Sequence, residues 1–248
     1  MDTVPGVVLL FTDFGIGSHY VAQVKARLLS LGVKQPIVEL CSDAPRFNPR
    51  AAACLLASFP EALPGPALYL AVVDPGVGTS RRAILGRDGE CCFVGPDNGL
   101  LSGLVRRSQN VHLQTIELDL PDRSRTFDGR DLFAPAAALI CRGETVPGEL
   151  VKQEELVGWN WSALAEIVYI DVYGNLVTGL TAGGMEPGSQ LMVNGWRIGA
   201  AGTFADVPVG SPFWYVNSNG LVEIAINRGS AALQLQATVG TPVGITLA

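Results

Sequence analysis

Gly6 to Phe11, G-V-V-L-L-F, is an unbroken apolar run, the pattern of a strand buried on both faces. From Ser18 the period changes. Tyr20, Val21, Val24, Leu28 and Leu29 recur near helical spacing, and Gly32 stops the predicted helix after Leu31. Pro36 to Leu40 reads as a second strand, Pro45 to Pro49 as a loop and Arg50 to Phe59 as a helix rich in Ala and Leu. Ala67 to Val73 is again continuously apolar. This β-α-β-α-β alternation predicts a parallel sheet covered by helices. Ala83–Leu85 and Cys91–Val94 then read as a strand pair turned through Asp88-Gly89. A short helix from Leu100 to Arg106, a strand over Val111–Leu118 and an Ala-rich helix over Leu132–Cys141 follow, with Pro135 tolerable only near that helix's first turn.

The pattern shortens in the last third of the chain. Val168–Ile170 and Leu176–Leu180 flank a Tyr173-Gly174-Asn175 turn, and Leu191–Val193 and Trp196–Ile198 flank Asn194-Gly195, a strong hairpin signal. Phe213–Val216 and Leu221–Ile226 flank Asn217-Ser218-Asn219-Gly220, and Leu233–Val239 and Val243–Leu247 complete a series of short strands. Such a series, without a good helix, predicts a small antiparallel barrel. The expected organisation is an α/β domain over residues 1–145 with a mostly parallel sheet, a connection over 146–166 and an all-β barrel over 167–248.

Composition narrows the function classes. Of 248 residues, 48% are apolar and only 16% charged, which suits a packed globular or oligomeric protein and argues against disorder. The net charge of −6 and the absence of a basic stripe make nucleic acid a poor partner. Five cysteines without a C-x-x-C, and two isolated histidines, His19 and His112, disfavour both a disulfide framework and a zinc site. No apolar run approaches the ~20 residues of a membrane span, and the opening M-D-T-V-P-G lacks a basic leader. A cytoplasmic protein without bound metal is the expectation.

The sequence has no G-x-G-x-x-G, no P-loop and no nucleophile elbow. What recurs is a carboxylate at a strand end or turn: Asp13, Asp74, Asp97, Asp128 and Asp171. Each has an alternative reading as a turn or cap residue. Val72 to Arg82, V-V-D-P-G-V-G-T-S-R-R, is the most suggestive of these stretches. Asp74 stands where a buried strand ends, which is where open α/β sheets bind ligands.

Taken in order, Thr12-Asp13-Phe14-Gly15, Val73–Thr79, Phe93–Leu100, Thr126–Asp131, Ile170–Asn175 and Asn217–Gly220 resemble the S-adenosyl-L-methionine (SAM) hydroxide adenosyltransferases, relatives of the SAM-dependent fluorinase and chlorinase. The resemblance implies an α/β domain followed by a β-barrel. It also implies a homotrimer that binds SAM between the N-terminal domain of one subunit and the C-terminal domain of the next. SAM would be substrate rather than cofactor, and water would attack its 5′ carbon to give adenosine and L-methionine. Asp74 and Arg81 match the family's water-holding Asp and Arg. Asp128 stands where the family has His, in T-F-D-G-R-D instead of T-F-H-G-R-D, leaving open a working variant, a slower enzyme or another nucleophile.

By the same resemblance Asp13 meets the ribose diol, and Phe47 lies against the substrate. Asp171 and Ser218 meet the methionine ammonium and carboxylate, and Asn175 and Phe204 the adenine. Phe47 and Phe204 read alternatively as core residues. Asn219 replaces an Arg that grips the carboxylate in the halogenases, and Arg82 is expected to be a solvated neighbour. A halogenase and a non-catalytic SAM or adenosine binder are the alternatives. Asp74 disfavours the first, because its charge repels a halide.

Overall fold

The structure, a computed structural model, describes residues 3–63, 65–108 and 110–247. Met1, Asp2 and Ala248, at the outer ends of the two expected domains, lie outside them. The chain divides into two units, with the boundary after Trp161 and the short segment Ser58–Leu63 grouped with the second unit.

The first unit is built on β1 (Val7–Thr12), α1 (His19–Ser30), β2 (Ile37–Cys41), α2 (Pro49–Ala62, its last turn grouped with the second unit) and β3 (Ala67–Val72). It continues with β4 (Ala83–Asp88), β5 (Cys91–Pro96), α3 (Ser102–Arg107), β6 (His112–Thr115), α4 (Ala134–Cys141) and β7 (Leu150–Val151). The strands form one seven-stranded sheet in the order β2-β1-β3-β5-β4-β6-β7. β2, β1, β3 and β5 run parallel, while the β5–β4, β4–β6 and β6–β7 pairs are antiparallel. The sheet is therefore mixed, in contrast to the mostly parallel sheet expected. The Asp88-Gly89 turn folds β4 straight back on β5, and β6 and β7 add to that reversed edge. β1 and β3 are buried over almost their whole length, as their unbroken apolar runs require.

Residues 146–161, read from the sequence as part of a connection, belong to this first unit, because β7 adds to the sheet edge. Pro49 begins α2 rather than ending a loop. The Asn48 side chain accepts from Ala51 N–H at 3.0 Å, and Pro has no N–H to lose at a helix start. Before α4 a π-helical turn spans Gly129–Phe133, so Pro135 falls in the first turn of α4, where it is tolerated.

The second unit holds β8 (Leu164–Ile170), β9 (Leu176–Thr181), β10 (Ser189–Val193), β11 (Trp196–Ile198), β12 (Pro212–Val216), β13 (Leu221–Ile226), α5 (Ala231–Gln234) and β14 (Gly244–Leu247). They form an antiparallel four-stranded sheet, β12-β13-β9-β8, and an antiparallel three-stranded sheet, β11-β10-β14. Leu191, Val193, Ile198, Val222, Ile224 and Ile226 are among the apolar side chains that fill the core of this unit. Asn194 and Gly195, with φ of 47° and 83°, make the expected tight hairpin between β10 and β11. The strand expected over Leu233–Val239 is absent. Ser230 caps a helical turn by accepting from Leu233 N–H at 3.3 Å, and the Ala-Ala-Leu-Gln run that follows favours helix.

Candidate active site

The strand order places the site. From β1 the chain crosses to β2 on one side and returns through α2 to β3 on the other, so the sheet changes direction of growth between β1 and β3. Beyond the carboxyl ends of such neighbours a crevice opens. Thr12 is in register with Val72, so Asp13 and Asp74 leave adjacent strands almost side by side. Asp13, Phe14, Val72, Asp74, Val77, Thr126, Phe127, Asp128 and Gly129 line a cavity of about 70 Å³ there. It has room for a water or two, with open space beyond.

Arg81 organises its charged wall. Nε donates to Asp74 Oδ1 at 2.8 Å, and Nη2 donates both to Asp74 Oδ2 and to Asp128 Oδ2, the latter at 2.7 Å. The side chains of Asp74, Arg81 and Asp128 are 4%, 10% and 2% exposed. Arg123 holds the remaining oxygen, Asp128 Oδ1, through Nε at 3.0 Å and Nη2 at 2.8 Å. Asn98 Nδ2 donates to Val73 O at 2.9 Å and reaches Asp74 Oδ1 at 3.5 Å. Phe14 and Phe127 are the aromatic part of the lining. They pack with Tyr20, ring centroids 5.3–5.9 Å apart, and the Arg130 guanidinium lies 5.0 Å above Phe127.

Asp13 sits half-buried on the rim. Burial pushes its carboxyl above the ordinary value; the Phe47 N–H, which donates to Oδ2 at 3.5 Å, and the Arg46 charge oppose this. Phe47 itself is 78% exposed with a φ of 57°, a conformation that costs a bulky L residue roughly 1–2 kcal/mol, so core packing is not its role.

Of the five singled-out carboxylates, Asp13, Asp74 and Asp128 thus share one cavity. Asp97 does not line it. Its Oδ2 accepts from Arg82 Nε at 2.8 Å and its Oδ1 from Val157 N–H at 2.9 Å. Arg82 also donates to Glu155 O at 2.7 Å, so it is a structural clamp behind the site and not a solvated neighbour. Arg123, Asn98, Phe14 and Phe127 carry no signal of their own in the sequence, although the last three lie inside the recurring motifs.

The remaining candidates are in the second unit. Asp171 and Asn175 close the β8–β9 turn: Asp171 Oδ1 accepts from the N–H groups of Tyr173 and Asn175 at 2.9 and 2.8 Å, and its Oδ2 from Asn175 Nδ2 at 2.9 Å. Ser218 is exposed on the β12–β13 turn, which the Asn217 side chain shapes by accepting from Asn219 and Leu221 N–H. Asn217 is held in turn by the buried Glu223, which also accepts from the Tyr215 hydroxyl. Phe204 is 38% exposed and packs edge-on against Phe213 and Tyr215, so it is neither free nor fully core.

A crevice at a parallel-sheet switch point, lined by aromatics and by buried carboxylates that an arginine holds, has the make-up of a small-molecule site. Comparison with known proteins places the chain in a family. The SAM hydroxide adenosyltransferase N-terminal domain matches residues 8–149, and the C-terminal domain of the same family matches residues 165–244. The chain belongs to the SAM hydroxide adenosyltransferase family. It is 37% identical to a protein named (R)-S-adenosyl-L-methionine hydrolase from Thermus thermophilus over 95% of this chain and 98% of the relative. A protein of the same name from Salinispora arenicola is 35% identical, over 95% of each chain. Proteins named fluorinase match at 21–23%. The crystal structure of an uncharacterized conserved protein from Thermotoga maritima superposes with a TM-score of 0.85, at 29% identity, covering 97% of this chain and all of the other.

Proposed function

We propose that the protein hydrolyses SAM to adenosine and L-methionine, and that it takes the (R) epimer named for its relatives. The observation that carries the reading is the buried Asp74–Arg81–Asp128 cluster beside an aromatic-walled cavity of water size. A sulfonium makes the 5′ carbon electrophilic and methionine a neutral leaving group, so no acid is needed. Water needs orientation and a proton acceptor in a desolvated place. The water oxygen forms a bond to C5′, the C5′–S bond breaks, and its electron pair stays on sulfur as the thioether. The water proton passes to Asp74. A carboxylate has about four acceptor positions, and Arg81 and Asn98 use three on Asp74. SAM is substrate here, and the activated sulfonium supplies the driving chemistry without a further cofactor.

A buried carboxylate at position 74 speaks against a halide nucleophile, which it would repel. The half-buried Asp13, able to accept from both ribose hydroxyls, is proposed to fix the nucleoside, with Phe47 as the exposed aromatic against it. Asp171, Asn175, Phe204 and Ser218 are proposed to complete the site from a neighbouring subunit of a homotrimer, with Asp171 and Ser218 at the amino acid and Asn175 and Phe204 at the adenine. The second unit is proposed to be a closed barrel. Backbone bonds from Trp214 to Gly199 O and from Val243 to Ala165 O, at 3.0 and 2.9 Å, support that closure. Five free cysteines fit a cytoplasmic setting.

Incubation with (R)-SAM, followed by chromatography, tests the function. Adenosine and methionine are expected in equal amounts from the wild type, unchanged by added chloride, with roughly a 100-fold slower rate for Asp74→Ala. No adenosine above background from the wild type refutes the hydrolase reading, and a chlorinated nucleoside would make it a halogenase.

A further inference from the structure

Arg123 is absent from the reaction outlined above, yet it commits two donors to Asp128. Nε and Nη2 both point at Oδ1, while Arg81 takes Oδ2. Asp128 is 2% exposed and Arg123 is 37% exposed, so the second arginine reaches inward from the surface to a buried charge. The loop carrying it is tied on both sides: Arg123 N–H donates to Leu120 O and Ser124 N–H to Asp131 Oδ2, each at 3.1 Å. Two buried carboxylates sharing one guanidinium would leave an uncompensated negative charge, which is costly in a desolvated pocket. Asp74, Arg81, Asp128 and Arg123 together sum to zero. Without Arg123, Asp128 would have only Arg81 as counter-charge among the described residues and would draw that guanidinium off Asp74.

We propose that Arg123 is a positioning residue for the hydrolysis. By gripping Asp128 Oδ1 it presents Oδ2 to Arg81 Nη2, and so keeps the Arg81 fork seated on Asp74. The proposal rests on the SAM hydrolase reading and adds to it a role for a surface arginine.

Steady-state kinetics on wild type, Arg123→Met, Arg123→Lys, Asp128→His and the Arg123→Met/Asp128→His pair test this, with thermal midpoints recorded alongside. Arg123→Met is expected to lower kcat roughly 10- to 100-fold, the scale of a small misplacement at a reacting centre, and to leave KM within about threefold. Arg123→Lys should recover part of the loss, because an ammonium supplies charge without the fork. In the Asp128→His background the same Arg123→Met change should no longer lower kcat, since no buried carboxylate remains at position 128 to be held. An equal loss in both backgrounds, or a loss confined to KM or to the thermal midpoint, overturns the proposal. Should Arg123→Met fail to fold, Arg123→Lys decides alone, and wild-type kcat in that variant overturns it. A wild type that yields no adenosine removes both readings, whereas an active wild type matched by Arg123→Met removes this one only.

Discussion

Asp13 gives the site its expected pH dependence. Its carboxyl titrates above the ordinary value of 3.8, chiefly because burial disfavours the charge, with the charge of Asp74 adding a smaller push in the same direction. In the proposed ribose contact only the carboxylate accepts through both oxygens, so KM for SAM should rise as the pH falls towards that raised value, with the inflection lying above 3.8. The folded protein holds this proton more tightly than the unfolded chain does, so the same group lowers stability as the pH rises through that window. KM profiles of wild type and Asp13→Asn check the assignment. The variant should show a KM raised at every pH and no acid inflection, and an unchanged inflection would place the titration elsewhere. Asp74, Arg81 and Asp128 were legible in the sequence because each sits inside a recognisable run. Arg123 was not, because nothing in Arg123-Ser124-Arg125 says which arginine turns inward. That choice is made by the fold, which holds Asp128 within reach of Arg123.

Two loops make the cluster, and Gly78 is where they touch. It has a φ of 84°, and a Cβ there would lie 2.7 Å from the backbone oxygen of Arg125. Gly78→Ala therefore carries a left-handed penalty of roughly 1–2 kcal/mol together with a steric push that separates the Asp74–Arg81 loop from the loop bearing Arg123. We expect a thermal midpoint lowered by several degrees, as such energies imply for a chain this size, and kcat reduced about tenfold. Gly17→Ala is the control: φ is 70° there and nothing lies within 4 Å of the added carbon, so it should lose stability alone. Equal kinetics in the two variants would deny the loop contact a role. At this scale the apolar runs of β1 and β3 and the Asn194-Gly195 hairpin were readable, because burial on both faces and turn chemistry are local properties. The residues after Ser230 carry a strand-like pattern yet fold as helix, because a capped single helical turn and a short apolar strand look alike until the cap bond forms. The mixed sheet was half legible. The β4–β5 turn is written in Asp88-Gly89, but the addition of β6 and β7 to its far edge is a long-range choice.

In the single chain, large apolar side chains flank the proposed ligand residues of both units. Ile16 and Phe47, near Asp13 in the first, are 76% and 78% exposed, and Val172 and Tyr173, beside Asp171 in the second, are 80% and 76% exposed. Apolar exposure at such positions is a mark of contact surface, and a homotrimer would give it a partner. Light scattering on the eluted protein should read three times the 26.1 kDa chain mass. Tyr173→Asp should shift the protein towards the single-chain mass and cut turnover at least tenfold. A wild type of single-chain mass with full activity would contradict the trimer, as would a fully active monomeric variant.

The segment that adds β7 also bears on how this polypeptide can be divided. Past β7 it returns over the back of the site, where Val157 N–H serves Asp97, Glu155 O receives Arg82, and the carbonyls of Gly158 and Trp161 receive Arg106. A piece severed at residue 145 would keep Asp74, Arg81, Arg123 and Asp128, yet it would lose an edge strand and the brace behind the arginine next to Arg81. A cut that keeps β7 and this brace together with the site falls after Trp161, where the first unit closes.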